Sequence, residues 1–387
     1  MTVDLLLCNA RLLTGGRVID NGYVAVRDGR VVGIGASATA DIEAVEVVDC
    51  QGRTLTPGFI DIQVNGGGGF MFSTQVDKGN YESVARAHAR LGVTTICPTI
   101  VSNELDTMLA SVRVVAEMCD EGVSGGSRFG GIHIEGPFLD HAKRGGHGPQ
   151  FLKLPSLDWV KEVIETGRGH VKIFTLAPEL PGAMEVIDYL VDQGVFVSAG
   201  HTAADAATVR RAVDHGLSGV THIFNGMDGI QHRVPGVAGV ALADDRLFVG
   251  LIADLLHLSA ETVTTVVRCK NSETLYLTTD AVSPMGSSEN SFDLNGVTVT
   301  VRDGGCYTED GVLAGTATPL PVMVKNLRER LGFGEQETLR MVTSTPARII
   351  GRDRDLGVLR HGVLADLVVF EPDSSPWLVV LEGELLR

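Results

Sequence analysis

Eight times between Pro57 and about Ala317, a short apolar run ends in polar or glycine residues and is followed by a helical period. The runs are GFIDIQVNG, TTICPTIVS, GGIHIEGPF, HVKIFTLAPE, VFVSAGHTAA, GVTHIFNGM, FVGLIADLLH and TLYLTTDAVSP. Between several of them lie amphipathic segments: YESVARAHARLG, LDTMLASVRVVAEM, LDWVKEVIETG, ADAATVRRAVDHG and SAETVTTVVRCK, the last with Ser259 placed as an N-cap. Parallel β/α alternation follows. Eight strands at roughly 24–40-residue intervals from Phe59 to Thr274 predict a closed (β/α)8, TIM-like barrel, not an open doubly wound sheet. A final helical region, PLPVMVKNLRERLG and EQETLRMVTSTPARIIG, is expected to pack outside it.

The chain has 387 residues, more than the ~250 of a typical barrel, so a smaller second domain is expected. Residues 1 to about 55 alternate in short runs broken by turn signals such as Asp20-Asn21-Gly22, and LGVLRHGVLADLVVFEPDSSPWLVVLEGELLR has the same texture. Both ends are predicted to pair into one small β-sandwich, residues 1–56 with 355–387, flanking a barrel of residues 57–354. The 47 glycines suit tight strand-to-helix turns. A formal charge of −16 argues against a nucleic-acid or anionic-membrane surface. Six scattered cysteines without CxxC spacing read as reduced thiols, which points to the cytoplasm. The N-terminus has no basic region followed by an apolar stretch, and no run is long enough to span a membrane.

In such barrels, catalytic groups stand at the C-terminal ends of strands. That rule places Glu135 at the end of the third run, His201 at the end of the fifth, His222 on the sixth and Asp280 at the end of the eighth, all facing one mouth. Two imidazoles and one carboxylate with an open position are the ligand type of catalytic zinc sites. The cation is expected to act as a Lewis acid and to lower the pKa of bound water, with Asp280 taking the water proton and later delivering it to a leaving amine. Taken singly, a histidine on an apolar strand is more often a satisfied core residue. Glu135, between Ile134 and Gly136, is harder to read that way, because an unpaired carboxylate there carries a desolvation cost of several kcal/mol.

The segments PGFIDIQVNG, GIHIEGPF, KRGGH, GHT, THIFNGM, HRVPG, ADLLH, TTDAVSP and LAGT resemble the amidohydrolase superfamily and, within it, the N-acetylglucosamine-6-phosphate deacetylases, over almost the whole chain. Many amidohydrolases carry a His-x-His pair after the first strand for a second metal, whereas here those positions are Gln63 and Asn65. Amides are poor ligands for a transition metal beside imidazoles. One divalent ion per subunit is therefore expected, Zn2+ first and Fe2+, Co2+ or Mn2+ as alternatives. Gln63 and Asn65 would mark a vestigial second-metal position, although Gln63 also reads as a barrel-floor hydrogen bonder. No lysine ends the fourth run, so a carbamylated-lysine bridge has no residue.

The resemblance implies further roles. His147 matches a histidine that contacts the substrate and polarises the amide carbonyl, against an alternative as an exposed loop residue. Asn225 and Gly226 match a segment binding the sugar phosphate, and His257 matches a histidine on a sugar hydroxyl. Arg233 matches a phosphate-binding arginine that reaches in from the neighbouring subunit of a dimer; a solvated surface arginine is the other reading. Ala314 and Gly315 lie in LAGT, which matches a loop over the substrate. The expected reaction is hydrolysis of the acetamide of N-acetylglucosamine 6-phosphate. The alternatives are another mononuclear amidohydrolase, such as an N-acyl amino-acid deacylase or a deaminase, and a sugar-phosphate-binding regulatory protein on an inactive barrel.

Overall fold

The computed structural model describes residues 2–36, 42–294, 297–309, 311 and 313–386. Eight strands form the barrel: β1 (Phe59–Val64), β2 (Val93–Val101), β3 (Ile132–Glu135), β4 (Val171–Leu176), β5 (Phe196–Ala199), β6 (Gly219–Val220), β7 (Phe248–Leu251) and β8 (Leu275–Leu277). Each pairs in parallel with the next. Beyond β8 the chain returns to β1: Asp280 N donates to Gln63 O at 3.0 Å, and Asn65 N to Ala281 O at 2.9 Å. A parallel bridge between Val64 and Ala281 lies on the same seam. The eight runs predicted from the sequence are these eight strands.

Seven helices alternate with the strands: α1 (Lys78–Arg90), α2 (Leu105–Glu121), α3 (Leu157–Thr166), α4 (Ala183–Asp192), α5 (Ala206–Asp214), α6 (Gly236–Ala243) and α7 (Ala260–Cys269). In α5 the buried residues are Val209, Ala212 and Val213, and in α7 Val263, Val266 and Val267, the i, i+3, i+4 stripe of a one-sided helix. Asp77, Ser156, Asp205 and Ser259 cap α1, α3, α5 and α7 by accepting from a backbone N–H three residues on. Each such cap contributes about 1 kcal/mol. The helical stripes face Ile100, Ile134, Phe174 and Val197 across the main core. Residues Ser344–Ile349 pack at the opposite end, where Ala347, Ile349 and Ile350 meet Ile60, Ile62, Ile173 and Tyr276 and fill the N-terminal mouth.

Both chain ends build one mixed eight-stranded sheet, in which Leu367–Phe370 runs antiparallel to Thr54–Pro57. Leu5, Leu7, Val24, Val26 and Leu55 share a core there with Leu367, Val369 and Val380.

The segment after β8 departs from expectation. Residues Leu313–Thr316, predicted as a loop, form the last strand of a four-stranded antiparallel sheet with Ser291–Leu294, Val297–Arg302 and Gly305–Thr308. The cause is a hairpin at Asp303-Gly304, whose φ values of 51° and 83° are those of a primed two-residue turn. Gly305 pairs with Thr316 and Tyr307 with Leu313, so the backbone of the segment is used in a ladder.

Candidate active site

The C-terminal ends of the strands surround a cavity of about 350 Å³. Glu135 ends β3, His201 lies two residues past β5, His222 two past β6, His257 beyond β7 and Asp280 three past β8. All five line the cavity, together with Asn65, His147, Asn225, Gly226 and Gly315. The backbone must turn sharply where each strand stops. His201, His222 and Asp280 have φ of 48°, 29° and 56°, and their neighbours Phe224 and Leu255 have 72° and 64°. Left-handed backbone at non-glycine residues costs energy that the surrounding packing has to hold, and it gathers at functional sites.

Glu135 Oε1 is 3.1 Å from His222 Nε2 and 3.4 Å from His201 Nε2, and the two imidazole nitrogens are 3.1 Å apart. Tetrahedral ligands at metal distances of 2.0–2.2 Å stand roughly 3.4 Å from one another, so this triangle has the size such a site needs. The hydrogen placement agrees. His201 Nδ1 faces the Lys143 carbonyl at 2.9 Å, which can only accept, so the proton sits on Nδ1 and a lone pair on Nε2 points at His222. Lone pairs and a carboxylate converging on one point are what a divalent cation satisfies. Glu135, His147 and His201 also bring ligand atoms within 4.8 Å of one another, so His147 borders the same position. Burial pushes the Glu135 carboxyl up, but the imidazoles packed against it hold it well below the usual range.

Partners missed in the sequence orient these groups. Ser102 Oγ lies 2.9 Å from His147 Nδ1, which turns Nε2 to the cavity. Burial and the adjacent His201 lower the His147 pKa to about 3, which keeps the ring neutral. Asp254 Oδ2 is 2.7 Å from His257 Nδ1, while its Oδ1 accepts from the Leu256 and His257 N–H groups at 2.9 Å. Gln63 Nε2 donates to Glu135 Oε1 at 3.0 Å, and Asn65 Nδ2 to Asp280 Oδ1 at 2.7 Å. Burial and the Glu135 charge raise the Asp280 pKa. A signal for Asp254 existed, since it stands three residues before His257 in ADLLH. Ser102 offers no local signal.

Other predicted residues are placed differently. Asn225 commits its Nδ2 to the carbonyls of His222 and Ile223 at 3.1 and 3.3 Å, so its side chain presents its oxygen outward. Gly226 has φ of 58°, and a Cβ there would lie 2.6 Å from His201 Nδ1. This glycine therefore also makes room for His201. Arg233 lies in an exposed segment outside the cavity and makes no ion pair with the described residues. The Ala314 side chain lies outside the described residues. His133, on β3 beside Glu135, is a satisfied interior histidine, with Ile62 O at 3.0 Å and Thr175 Oγ1 at 2.8 Å.

The model of the amidohydrolase family matches residues 54–386. An N-acetylgalactosamine-6-phosphate deacetylase of Shewanella sp. (strain ANA-3) is 35% identical over 99% of this chain and 96% of its own. The N-acetylglucosamine-6-phosphate deacetylase of Bos taurus is 34% identical over 96% and 90%. Among solved structures, the N-acetylglucosamine-6-phosphate deacetylase of Pasteurella multocida superposes with a TM-score of 0.92 at 31% identity, covering 98% of this chain and 99% of that one. The chain thus belongs to the amidohydrolase family, a hydrolase grouped with the N-acetylglucosamine-6-phosphate deacetylases and their N-acetylgalactosamine-6-phosphate counterparts.

Proposed function

We propose that the chain hydrolyses the acetamide of N-acetylglucosamine 6-phosphate to glucosamine 6-phosphate and acetate, in amino-sugar catabolism or cell-wall recycling. The observation that carries this reading is the convergence of Glu135, His201 and His222 within 3.4 Å beside Asp280 in one cavity. Glu135, His201 and His222 would hold one divalent ion, zinc in our reading and otherwise Fe2+, Co2+ or Mn2+. When bound, that ion supplies Lewis acidity and a more acidic water.

Asp280 takes a proton from the attacking water and returns it to the departing amine. Its raised pKa suits both halves of that cycle, because a carboxyl closer to neutrality both accepts and releases a proton readily. Neutral His147, with Ser102 donating to Nδ1, carries its proton on Nε2 and donates to the oxyanion that forms at the carbonyl. His257, with Nδ1–H on Asp254, offers the Nε2 lone pair to a sugar hydroxyl.

For the phosphate, a bidentate guanidinium is the fitting partner in a chain of net charge −16. Arg233 is exposed outside the cavity of its own chain, which supports its action in a neighbouring subunit of a homodimer, with backbone N–H groups near Asn225 and Gly226 completing the phosphate contacts. Gly315, which lines the cavity from the added sheet, borders the substrate. The six unpaired cysteines support a cytoplasmic location, and among the described residues no helix is long and apolar enough to cross a membrane. We divide the chain into a β domain of residues 1–56 with 355–387 and a barrel of 57–354, on the pairing of Thr54–Pro57 with Leu367–Phe370.

The experiment is acetate release from N-acetylglucosamine 6-phosphate with metal analysis of the same sample. Asp280→Asn should abolish turnover and keep the metal; a variant with near-normal turnover refutes the role of Asp280. The 35% identical relative favours a second reading in which N-acetylgalactosamine 6-phosphate is the better substrate. Comparing kcat/KM for the two epimers decides between them.

A further inference from the structure

Positions 63 and 65 are two apart at the end of β1, which sends their side chains to the same face of the strand, into the barrel. Each amide meets one of the site's two carboxylates: Gln63 that of Glu135, and Asn65 that of Asp280. Both amides are more than nine-tenths buried, and both amide oxygens lack a hydrogen-bond partner among the described residues. The donors are therefore what is used. Reversing the Asn65 amide would put its oxygen 2.7 Å from a carboxylate oxygen, two acceptors face to face, so the NH2 is turned toward Asp280. The Asn65 N–H bonds Ala281 O across the β1–β8 seam, so the amide is carried by backbone already tied to the residue after Asp280.

We propose that Asn65 is a positioning residue for proton transfer: its NH2 holds Oδ1 of Asp280, leaving Oδ2 as the one oxygen that collects and returns the proton. Oδ2 has no hydrogen-bond partner among the described residues, and Asp280 lines the cavity. The Asn65 bond is compatible with both protonation states of Asp280, because the proton travels on the other oxygen. Gln63 acts differently on Glu135: its NH2 donates at 3.0 Å to Oε1, the same oxygen that faces His201 and His222. Two neighbouring amides at the end of β1 thus each donate to one of the site's two carboxylates.

The inference rests on the deacetylase reading above, and one experiment separates the two. Wild type, Asn65→Ala and Asn65→Asp are purified with metal, and kcat, KM, metal content and melting temperature are measured on N-acetylglucosamine 6-phosphate. Asn65→Ala should lower kcat on the order of 10²-fold, the lower end of what a positioned acid/base contributes, with KM within about threefold and metal content unchanged. Asn65→Asp has the same shape but an oxygen where the donor was. Two carboxylates at that distance share one proton, so Asn65→Asp should lose at least as much kcat as the alanine variant. If Asn65→Ala folds poorly, the near-isosteric Asn65→Asp alone is decisive. Full kcat in Asn65→Asp overturns the inference, as does a loss carried by KM or metal content. A wild type that releases no acetate overturns the reaction assignment instead.

Discussion

Replacing Asp254 by asparagine should reverse the proton on His257 without moving it. Oδ1 of Asp254 accepts two backbone N–H groups, from Leu256 and His257, at 2.9 Å. In Asp254→Asn that position must be filled by the amide oxygen, which leaves the NH2 facing His257 Nδ1 at the former 2.7 Å contact. A donor there forces Nδ1 to accept, and the ring proton moves to Nε2. The substrate hydroxyl then meets an N–H where it had met a lone pair. Losing a hydrogen bond backed by a charged partner costs about 1.5–3 kcal/mol, or about 10–100-fold in kcat/KM. The assay is steady-state acetate release at saturating metal, with ring 15N shifts reporting the tautomer. Asp254→Ala is the contrasting variant, since it strands both backbone donors and should also lower the melting temperature. An Asp254→Asn enzyme within threefold of wild type, with its tautomer reversed, would refute the role given to His257.

Gly226→Ala would put a Cβ 2.6 Å from His201 Nδ1 at a φ of 58°. It should displace the ring from Lys143 O and weaken metal binding about 10–100-fold, read by chelator competition; unchanged affinity contradicts the packing argument. His88 is fully buried against Gly66 O, and burial lowers its pKa from 6.5 to about 4. A depressed histidine is protonated first in the unfolded chain, so its share of stability, ~3 kcal/mol, is present above pH 6.5 and lost as the pH falls toward 4. Urea unfolding of chelator-treated protein should show His88→Gln with a stability-versus-pH slope about one proton shallower across that window; an identical slope excludes His88 as a contributor. Arg233→Ala should raise KM at least tenfold for the phosphorylated sugar with little change in kcat. Mixing Arg233→Ala with Asp280→Asn subunits should restore low-KM turnover if the arginine acts across a dimer; no restoration places it in its own site.

The candidate ligands were legible because their chemistry is written locally. Glu135, His201, His222 and Asp280 each follow an apolar run, and a barrel sends the ends of all its strands to one mouth, so residue type and strand-end position suffice. The eight runs, the β texture of both ends and the Ser259 cap were readable for the same reason, since period and capping are short-range properties. The antiparallel sheet that ends in Leu313–Thr316 was not anticipated, because LAGT alone does not reveal the strand it pairs with. Ser102 and the Lys143 carbonyl were not readable, and although Gln63 read as a barrel-floor hydrogen bonder, the carboxylates that Gln63 and Asn65 meet were not. Ser102 is 45 residues from His147, and Asn65 is 215 from Asp280. By itself, then, the sequence determined the barrel, its flanking β domain and which side chains could carry the chemistry. Only the tertiary structure decided which lone pair faces the cavity and which donor holds each carboxylate, because hydrogen-bond direction depends on groups that meet only when distant strands close into one barrel.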